Sequence, residues 1–251
     1  MPPTIILIRH GEAEHNHTGD HTLRDPPLTA TGEAQCRQLH EHLRKDFPLA
    51  NDVEVIITSP MIRAMQTTSI ALDWLIERGV PVLASAQWQE NSDKPCDTGS
   101  IPSTLKPKFP FVDFTDIDPI YPDKSASTRY AYTRTKILAR GQACLSELYA
   151  RPERLVAVVG HSAFLRTAVS QRRYANADFR VFTFDSETKP GSLRLVEAEE
   201  TAGEGGMGWS QPGVAELRQG ELPEGEQMEE VKERQGEKVD GEATAEVPQA
   251  G

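Results

Sequence analysis

Cysteine is scarce in this sequence, which has only three in 251 residues. Cys36, Cys96 and Cys144 are odd in number and widely spaced, so they form neither a disulfide framework nor a metal-binding motif. We therefore expect reduced thiols. A histidine-rich stretch could in principle bind a metal, but its three outer histidines are interpreted as solvated loop residues, and no metal or cofactor is expected. The histidines concerned are His15, His17 and His21.

Long apolar runs are also missing. No stretch of about 18 apolar residues occurs, so no membrane-spanning helix and no membrane partner are expected. The first apolar run covers only residues 5–8, has no basic residue before it and is followed at once by Arg9 and His10. This pattern excludes a secretory signal, and the sequence therefore predicts a cytoplasmic protein.

The sequence also has no excess of basic residues, since its net charge is −11. Residues 199–251 contain fourteen acidic and four basic residues, so nearly all of this charge lies at the end of the chain. Nucleic-acid binding needs a basic patch and has no support. Because residues 199–251 also contain few apolar side chains, they are interpreted as a disordered acidic tail. A short helix around 227–234 and binding of a protein partner by this tail are left open.

Strand and helix patterns alternate over residues 1–198, which are expected to form one domain. Short apolar or β-branched runs predict strands at 4–8, 53–58, 80–84, 155–159, 179–185 and 192–197. Amphipathic stretches predict helices at 30–45, 60–78, 128–150 and 162–171. Repeated strand–helix–strand units predict an α/β fold, a three-layer sandwich with a mainly parallel sheet of five to six strands and helices on both faces.

Residues 97–127 do not fit this alternation. Five prolines interrupt the segment, with aromatic residues and lysines between them. Such a long irregular segment is usually functional, so it is interpreted as a lid-like insertion that determines specificity. Its lysines suggest anionic groups on the ligand and its aromatic residues an apolar or ring moiety. A surface insertion without function is the alternative.

Charged side chains follow four of the predicted strands. Ligands of open α/β sheets bind beyond the carboxyl ends of the strands. Arg9 and His10 follow the first strand, Arg63 lies in the first helical turn after the second, and Glu90 and His161 come after the third and fourth. We therefore expect these five side chains to converge in one site.

These residue types suit phosphoryl transfer. Arginine offers planar, bidentate donors to phosphate, so Arg9 and Arg63 are expected to hold the phosphoryl oxygens. An imidazole nitrogen of His10 can attack phosphorus. Glu90 can protonate the leaving alcohol and then deprotonate the attacking water. Gly11 is expected to leave room for the approaching phosphate.

Three motifs resemble those of the histidine phosphatase superfamily, also called phosphoglycerate-mutase-like. They are Leu7-Ile8-Arg9-His10-Gly11-Glu12, Ser59-Pro60-Met61-Ile62-Arg63-Ala64-Met65-Gln66-Thr67 and Gly160-His161. The resemblance spans residues 4–198 and implies that His10 is the phosphorylated nucleophile. It also implies that Arg9, Arg63 and His161 form the phosphate pocket.

Two further positions match the family pattern. Asn16 matches a phosphate contact, and Glu90 matches the acid/base residue of the branch that includes mutases and fructose-bisphosphatases. Residues 91–99, however, lack the characteristic mutase sequence that follows this glutamate, which favours hydrolysis. Ser162 and the cysteine pattern contradict the secreted acid phosphatase and phytase branch.

The expected function is therefore hydrolysis of a small phosphorylated metabolite, with a phosphoglycerate-type mutase or a phosphate-recognising regulatory protein of weak activity as alternatives. A protein substrate is also left open. Arg24 and Lys94 are candidate substrate-binding residues. The carboxyl groups that could replace Glu90 as the acid are those of Glu12, Asp93 and Asp97.

Overall fold

The protein folds around one seven-stranded sheet. The computed structural model describes residues 1–189 and 191–224. The strands are β1 (Thr4–Arg9), β2 (Val55–Thr58), β3 (Val82–Ala84), β4 (Val112–Asp113), β5 (Leu155–Gly160), β6 (Phe179–Phe184) and β7 (Leu195–Glu197). Their order is β4-β3-β2-β5-β1-β6-β7, in which β6 runs antiparallel to both of its neighbours, β1 and β7, and the other neighbouring strands are parallel. The mainly parallel α/β fold is thus confirmed, with one strand, β4, more than the sequence predicts.

Helices cover both faces of the sheet. They are α1 (Glu14–Thr18), α2 (Ala30–Lys45), α3 (Ile62–Ala71), α4 (Asp73–Glu77), α5 (Pro102–Leu105), α6 (Arg134–Tyr149) and α7 (Ser162–Phe164), followed by a π-helical turn (Leu165–Val169). Within the described ranges, no helix combines the length and apolar character needed to cross a membrane.

Helix starts follow local capping. Helix α2 has its predicted bounds, because the Thr29 hydroxyl accepts from the Gly32 amide. Helix α3 starts later than predicted, at Ile62, whose amide donates to the buried Asp25 carboxylate at 3.0 Å. Helix α6 likewise starts at Arg134 rather than at residue 128, because Thr133 is its N-cap.

Each face of the sheet has its own core. In β1, Ile6 and Ile8 belong to the core under α2 and α3, whereas Ile5 and Leu7 belong to the core under α6. This alternation follows from the two-residue period of a strand. It places β1 in the middle of three layers, so that its carboxyl end is held from both sides.

Residues 97–127 are packed into the domain rather than lying over it as a lid. Their strand β4 extends the sheet beside β3, and Phe109, Phe114 and Tyr121 are buried. The two-residue length of β4 explains why periodicity could not reveal it.

Residues 199–224 correct the prediction of a disordered tail from residue 199. Arg180 of β6 is buried and donates to the carbonyls of Thr201 and Gly203 at 3.1 and 3.0 Å. Further along, the Ala215 and Leu222 side chains are buried. The folded part therefore continues at least to residue 224. Residues 225–251, with the helix proposed around 227–234, lie outside the described residues.

Candidate active site

The carboxyl ends of four parallel strands meet at one level. Arg9 at the end of β1 pairs with Gly160 of β5, and Thr58 at the end of β2 pairs with Val159 and Ala84. The side chains that follow these strands therefore enter one pocket, as the sequence predicts.

His10 is buried in this site, with 2% of its surface exposed. Its Nδ1 lies 2.6 Å from the Gly11 carbonyl oxygen, which can only accept, so Nδ1 carries the ring proton. Its Nε2 accepts from Arg63 Nε at 3.2 Å. Burial first, and then the charges of Arg63 and Arg9, hold the His10 pKa well below 6.5. The ring is thus neutral, with its lone pair on the side of the arginines.

The backbone of His10 is fixed from two directions. Its amide donates to the Gly160 carbonyl at 3.1 Å. Its carbonyl accepts from the Ala177 amide at 3.1 Å and from Asn176 Nδ2 at 3.2 Å. The Asn176 contact has no signal in the sequence, since 166 positions separate the two residues. Together these bonds set the direction in which the imidazole points.

Arg63 is completely buried and directed into the pocket by the backbone around residue 96. Its Nη1 donates to the Cys96 carbonyl at 2.7 Å, and its Nη2 pairs with Asp97 Oδ1 at 3.0 Å. Because Arg63 Nε donates to His10 Nε2, all three guanidinium nitrogens of Arg63 have a partner. Asp97 therefore occupies a donor that a phosphoryl oxygen would use.

Arg9 completes the cationic side of the pocket. Its Nη1 donates to the Tyr174 carbonyl at 2.7 Å, and its buried Nε has no partner among the described residues. Burial lowers the Arg9 pKa to about 10, with Glu90 acting against this shift and Arg63 adding to it. A buried donor without an acceptor is costly, and an anion in the pocket would satisfy it.

His161 stands opposite His10, with ring centroids 5.0 Å apart. Its Nε2 lies 2.8 Å from the Ser59 hydroxyl, for which no other partner is found in the described part of the chain. The buried hydroxyl therefore donates to Nε2, which leaves the proton on Nδ1. Nδ1 is also buried without a described partner. His161 thus presents an N–H donor to the pocket, and Ser59 sets its tautomer.

Glu90 is held at the start of α7. Its Oε1 accepts from the Asn91 and Phe164 amides, both at 2.9 Å, and its Oε2 accepts from the Ala163 amide at 3.0 Å. Burial and then the neighbouring Asp97 raise the Glu90 pKa above its ordinary 4.5. Oε2 has the smaller number of backbone partners and retains a lone-pair position for a proton.

Lys124 is a site residue that the sequence does not reveal. Its buried ammonium donates to the carbonyls of Glu90, Ser92 and Asp97 at 2.7, 2.7 and 2.5 Å. Burial lowers the Lys124 pKa to about 7. The lysine therefore ties down the loop that carries both carboxylates, instead of offering its charge to anionic groups of a ligand.

Three predicted site residues take other positions. Asn16 accepts from the Ala13 amide at 3.1 Å and lies 3.1 Å from His15 Nε2, so both ends of its amide are engaged in α1. Its role as a phosphate contact stays a prediction. Arg24 is exposed and donates to the Gly99 carbonyl at 3.1 Å, and Lys94 is exposed, so substrate binding by these two also stays a prediction.

Position 11 requires a glycine for a reason other than the predicted one. A Cβ at this position would lie 2.7 Å from the Gly32 carbonyl oxygen and 2.8 Å from Cys36 Sγ. The glycine is required by the close approach of α2, not by space for phosphate. Its amide donates to the Thr67 hydroxyl at 3.0 Å, which fixes the turn after His10.

The fold and this pocket define an α/β protein with a buried, cation-lined site around two histidines at the carboxyl ends of its strands. The model of the histidine phosphatase superfamily (branch 1) matches residues 5–204, and the chain belongs to this superfamily.

Individual relatives agree with this membership. A probable phosphatase of Schizosaccharomyces pombe is 33% identical over 170 residues, which cover 65% of this chain and 76% of the relative. A phosphoglycerate mutase-like protein of Arabidopsis thaliana is 30% identical over 205 residues, 66% of this chain and 73% of the relative. The solved ecdysone phosphate phosphatase of Bombyx mori, 16% identical, shares the fold with a TM-score of 0.53 over 86% of this chain and 96% of that chain.

Proposed function

We propose that the protein hydrolyses a small-molecule phosphomonoester through a phosphohistidine on His10. The observation that carries this proposal is the state of the His10 ring. Its proton is committed to the Gly11 carbonyl, and its Nε2 lone pair lies beside Arg63. A neutral imidazole held in this tautomer is a nucleophile that needs no further activation. Relatives that carry the name phosphatase support the reaction class.

In the first half of the reaction, Nε2 of His10 attacks phosphorus and the bond to the leaving oxygen breaks. Arg9, Arg63 and the Nδ1–H of His161 stabilise the charge on the phosphoryl oxygens. Glu90, as the carboxylic acid, gives its proton to the leaving oxygen. Its raised pKa favours the acid form that this step requires.

In the second half, water attacks the phosphohistidine. The Glu90 carboxylate takes a proton from that water, the P–N bond breaks, and phosphate leaves with His10 neutral again. Every group in both halves is a protein side chain, so we expect turnover to persist in EDTA.

The proposed role of His10 as the nucleophile is tested with p-nitrophenyl phosphate as the substrate. His10→Ala should lower kcat by about 10⁴-fold or more, the loss that is typical of removing a nucleophile. His17→Ala is the matched control, because this exposed histidine of α1 lies outside the pocket. Rapid quenching into base should trap a phosphorylated wild-type protein that His10→Ala lacks. Unchanged turnover of His10→Ala would exclude the mechanism.

Transfer of the phosphoryl group to a second substrate is the competing outcome, since one relative is named phosphoglycerate mutase-like. A coupled assay primed with 2,3-bisphosphoglycerate distinguishes the two. We expect inorganic phosphate to be the product, and a mutase turnover above the rate of phosphate release would assign the protein to the mutases. A panel of phosphorylated metabolites ranked by kcat/KM would then define the substrate.

A further inference from the structure

Two loops are joined beside the pocket. The Cys96 amide donates to the His21 carbonyl at 3.2 Å, and the Asp25 amide donates to the Pro95 carbonyl at 3.3 Å. These bonds bring the histidine-rich stretch after β1 against residues 95–97. Their side chains form a mixed group of nitrogen, sulfur and oxygen donors, none of which bonds to phosphorus or transfers a proton in the mechanism proposed above.

Three of these side chains converge on one point. His15, Cys96 and Asp97 each offer a ligand atom, and these atoms all lie within 4.8 Å of one another. His21 adds a fourth donor, since its Nδ1 lies 3.5 Å from Cys96 Sγ. In a tetrahedral zinc site the ligand atoms are about 3.4 Å apart, so the largest separation in the group has to shorten by up to about 1.4 Å.

His15 lies in this group with one ring nitrogen that has no partner among the described residues. The residue is 7% exposed, and its Nδ1 is buried with no partner among the described residues. Its Nε2 already lies 3.1 Å from the Asn16 amide nitrogen. Because Asn16 Oδ1 accepts from the Ala13 amide, the Asn16 amide nitrogen donates to Nε2 and the ring proton lies on Nδ1. A cation therefore binds Nδ1 only when this proton moves to Nε2 and the Asn16 amide turns over to accept it.

We propose that His15, Cys96 and Asp97, together with His21, bind a thiophilic divalent cation such as Zn²⁺ at the edge of the phosphate pocket. Binding replaces the thiol proton of Cys96, which is released to solvent. His21 is exposed and provides the entry path. The donor set of one thiolate, two imidazoles and one carboxylate favours zinc over magnesium or calcium.

The cation has a consequence for catalysis, which rests on the function proposed above. Asp97 and the Cys96 carbonyl hold Arg63 through two of its nitrogens. A cation bound to the side chains of both residues fixes them in place and opposes the exchange of Asp97 for a phosphoryl oxygen. We therefore expect Zn²⁺ to inhibit hydrolysis, in competition with the substrate.

Cadmium titration tests the site without any measurement of activity. The metal-free full-length protein should show the ultraviolet charge-transfer absorption of a Cd²⁺–thiolate bond at one equivalent. Cys96→Ser should lose this absorption and Cys144→Ser, at a buried thiol of α6, should keep it. No absorption in the wild type, or its loss only in Cys144→Ser, would overturn the proposal. His21→Ala should weaken Cd²⁺ affinity by about tenfold or more.

Inhibition is measured separately on wild type and His21→Ala. Both should hydrolyse p-nitrophenyl phosphate equally in EDTA, and the variant should need about tenfold more Zn²⁺ for half-inhibition. Equal sensitivity of the two proteins to Zn²⁺ would overturn the inhibitory role of this site. A chain that binds Cd²⁺ through Cys96 but lacks phosphatase activity would contradict the proposed function and leave the metal site standing.

Discussion

At the scale of single residues, burial determines the charge of the two pocket histidines. It holds the pKa values of His10 and His161 well below 6.5, and Arg63 adds to the shift in both cases. The folded state then binds fewer protons than the unfolded state, whose histidines titrate near about 6.5. The two histidines therefore do not reduce the free energy of unfolding above that pH. As the pH falls below it, protonation of the unfolded chain lowers the free energy of unfolding. The same shift keeps the His10 lone pair available at neutral pH.

Asp97, which the sequence offers as an alternative acid to Glu90, is instead a partner of Arg63. Its carboxylate pairs with Arg63 and accepts from the Ser92 hydroxyl at 2.6 Å. It is also one of the two causes that raise the Glu90 pKa. One negative charge thus acts on both halves of the proposed chemistry, because it competes with phosphate for the arginine and favours the acid form of Glu90.

Asp97→Asn should therefore have two effects. Phosphate should inhibit more strongly, by about fivefold, which corresponds to roughly 1 kcal/mol for one removed charge. The Glu90 pKa should fall, so the decline of kcat at alkaline pH should begin at lower pH. The second effect is measured with an alkyl phosphomonoester, because p-nitrophenolate leaves without protonation. Asp93→Asn, an exposed neighbour, is the control, and identical profiles for the two variants would contradict this account.

At the scale of structural elements, Lys124 fixes the loop from Glu90 to Asp97. Three backbone carbonyls of this loop share one buried ammonium. Its pKa of about 7 means that the charged form, with three protons for three acceptors, is complete only below that value. The loop position, and with it that of Glu90, depends on a residue of the segment first interpreted as a lid.

Lys124→Met should leave these carbonyls without a donor. We expect the free energy of unfolding to fall by roughly 1–3 kcal/mol and kcat/KM to fall by about tenfold or more, since Glu90 loses its support. Urea denaturation and steady-state kinetics measure the two changes. Lys108→Met is the control, because Lys108 is exposed in the same segment. Equal kinetics for both variants would show that Lys124 does not position the loop.

Helices and strands whose apolar residues recur with a clear period could be predicted from the sequence. Elements whose bounds depend on contacts with distant residues could not. Strands β1 and β5 and helix α2 follow from apolar runs and an N-cap. The rule that ligands bind beyond the strand ends brings five candidate site residues together, three of them expected to be catalytic and two, Arg9 and Arg63, to bind phosphate. Strand β4 is too short to have a period. The start of α3 depends on Asp25, which lies 37 positions away. Lys124 and Asn176 enter the site through contacts to backbone atoms, which leave no pattern in the sequence.

At the scale of the whole molecule, residues 199–224 hold the start of β6. The Asp178 carboxylate accepts from the Met207 amide at 2.9 Å and from the Ser210 hydroxyl at 2.6 Å. The Asp178 carbonyl in turn accepts from the Arg9 amide at 3.0 Å. The segment that composition alone assigned to a disordered tail is thus two hydrogen bonds away from the phosphate pocket.

Truncation distinguishes the two halves of that predicted tail. A chain that ends at Ala198 loses three of the carbonyl partners of buried Arg180 and the donors to Asp178 from Met207 and Ser210, so its free energy of unfolding should fall by about 3–5 kcal/mol. A chain that ends at Glu224 keeps every contact described above and should unfold at the same urea concentration as the full chain. Equal midpoints for both truncations would contradict the structural role of residues 199–224.

The contacts of Asp178 also set an order of events during synthesis. The proposed nucleophile His10 lies two hundred positions before Ser210, the serine that holds Asp178. Because a domain folds as a unit once its parts are available, the pocket cannot be completed on a nascent chain until this late segment has emerged. A ribosome-bound chain that has not yet exposed this segment therefore carries Arg9, His10, Arg63, Glu90 and His161 without an assembled site.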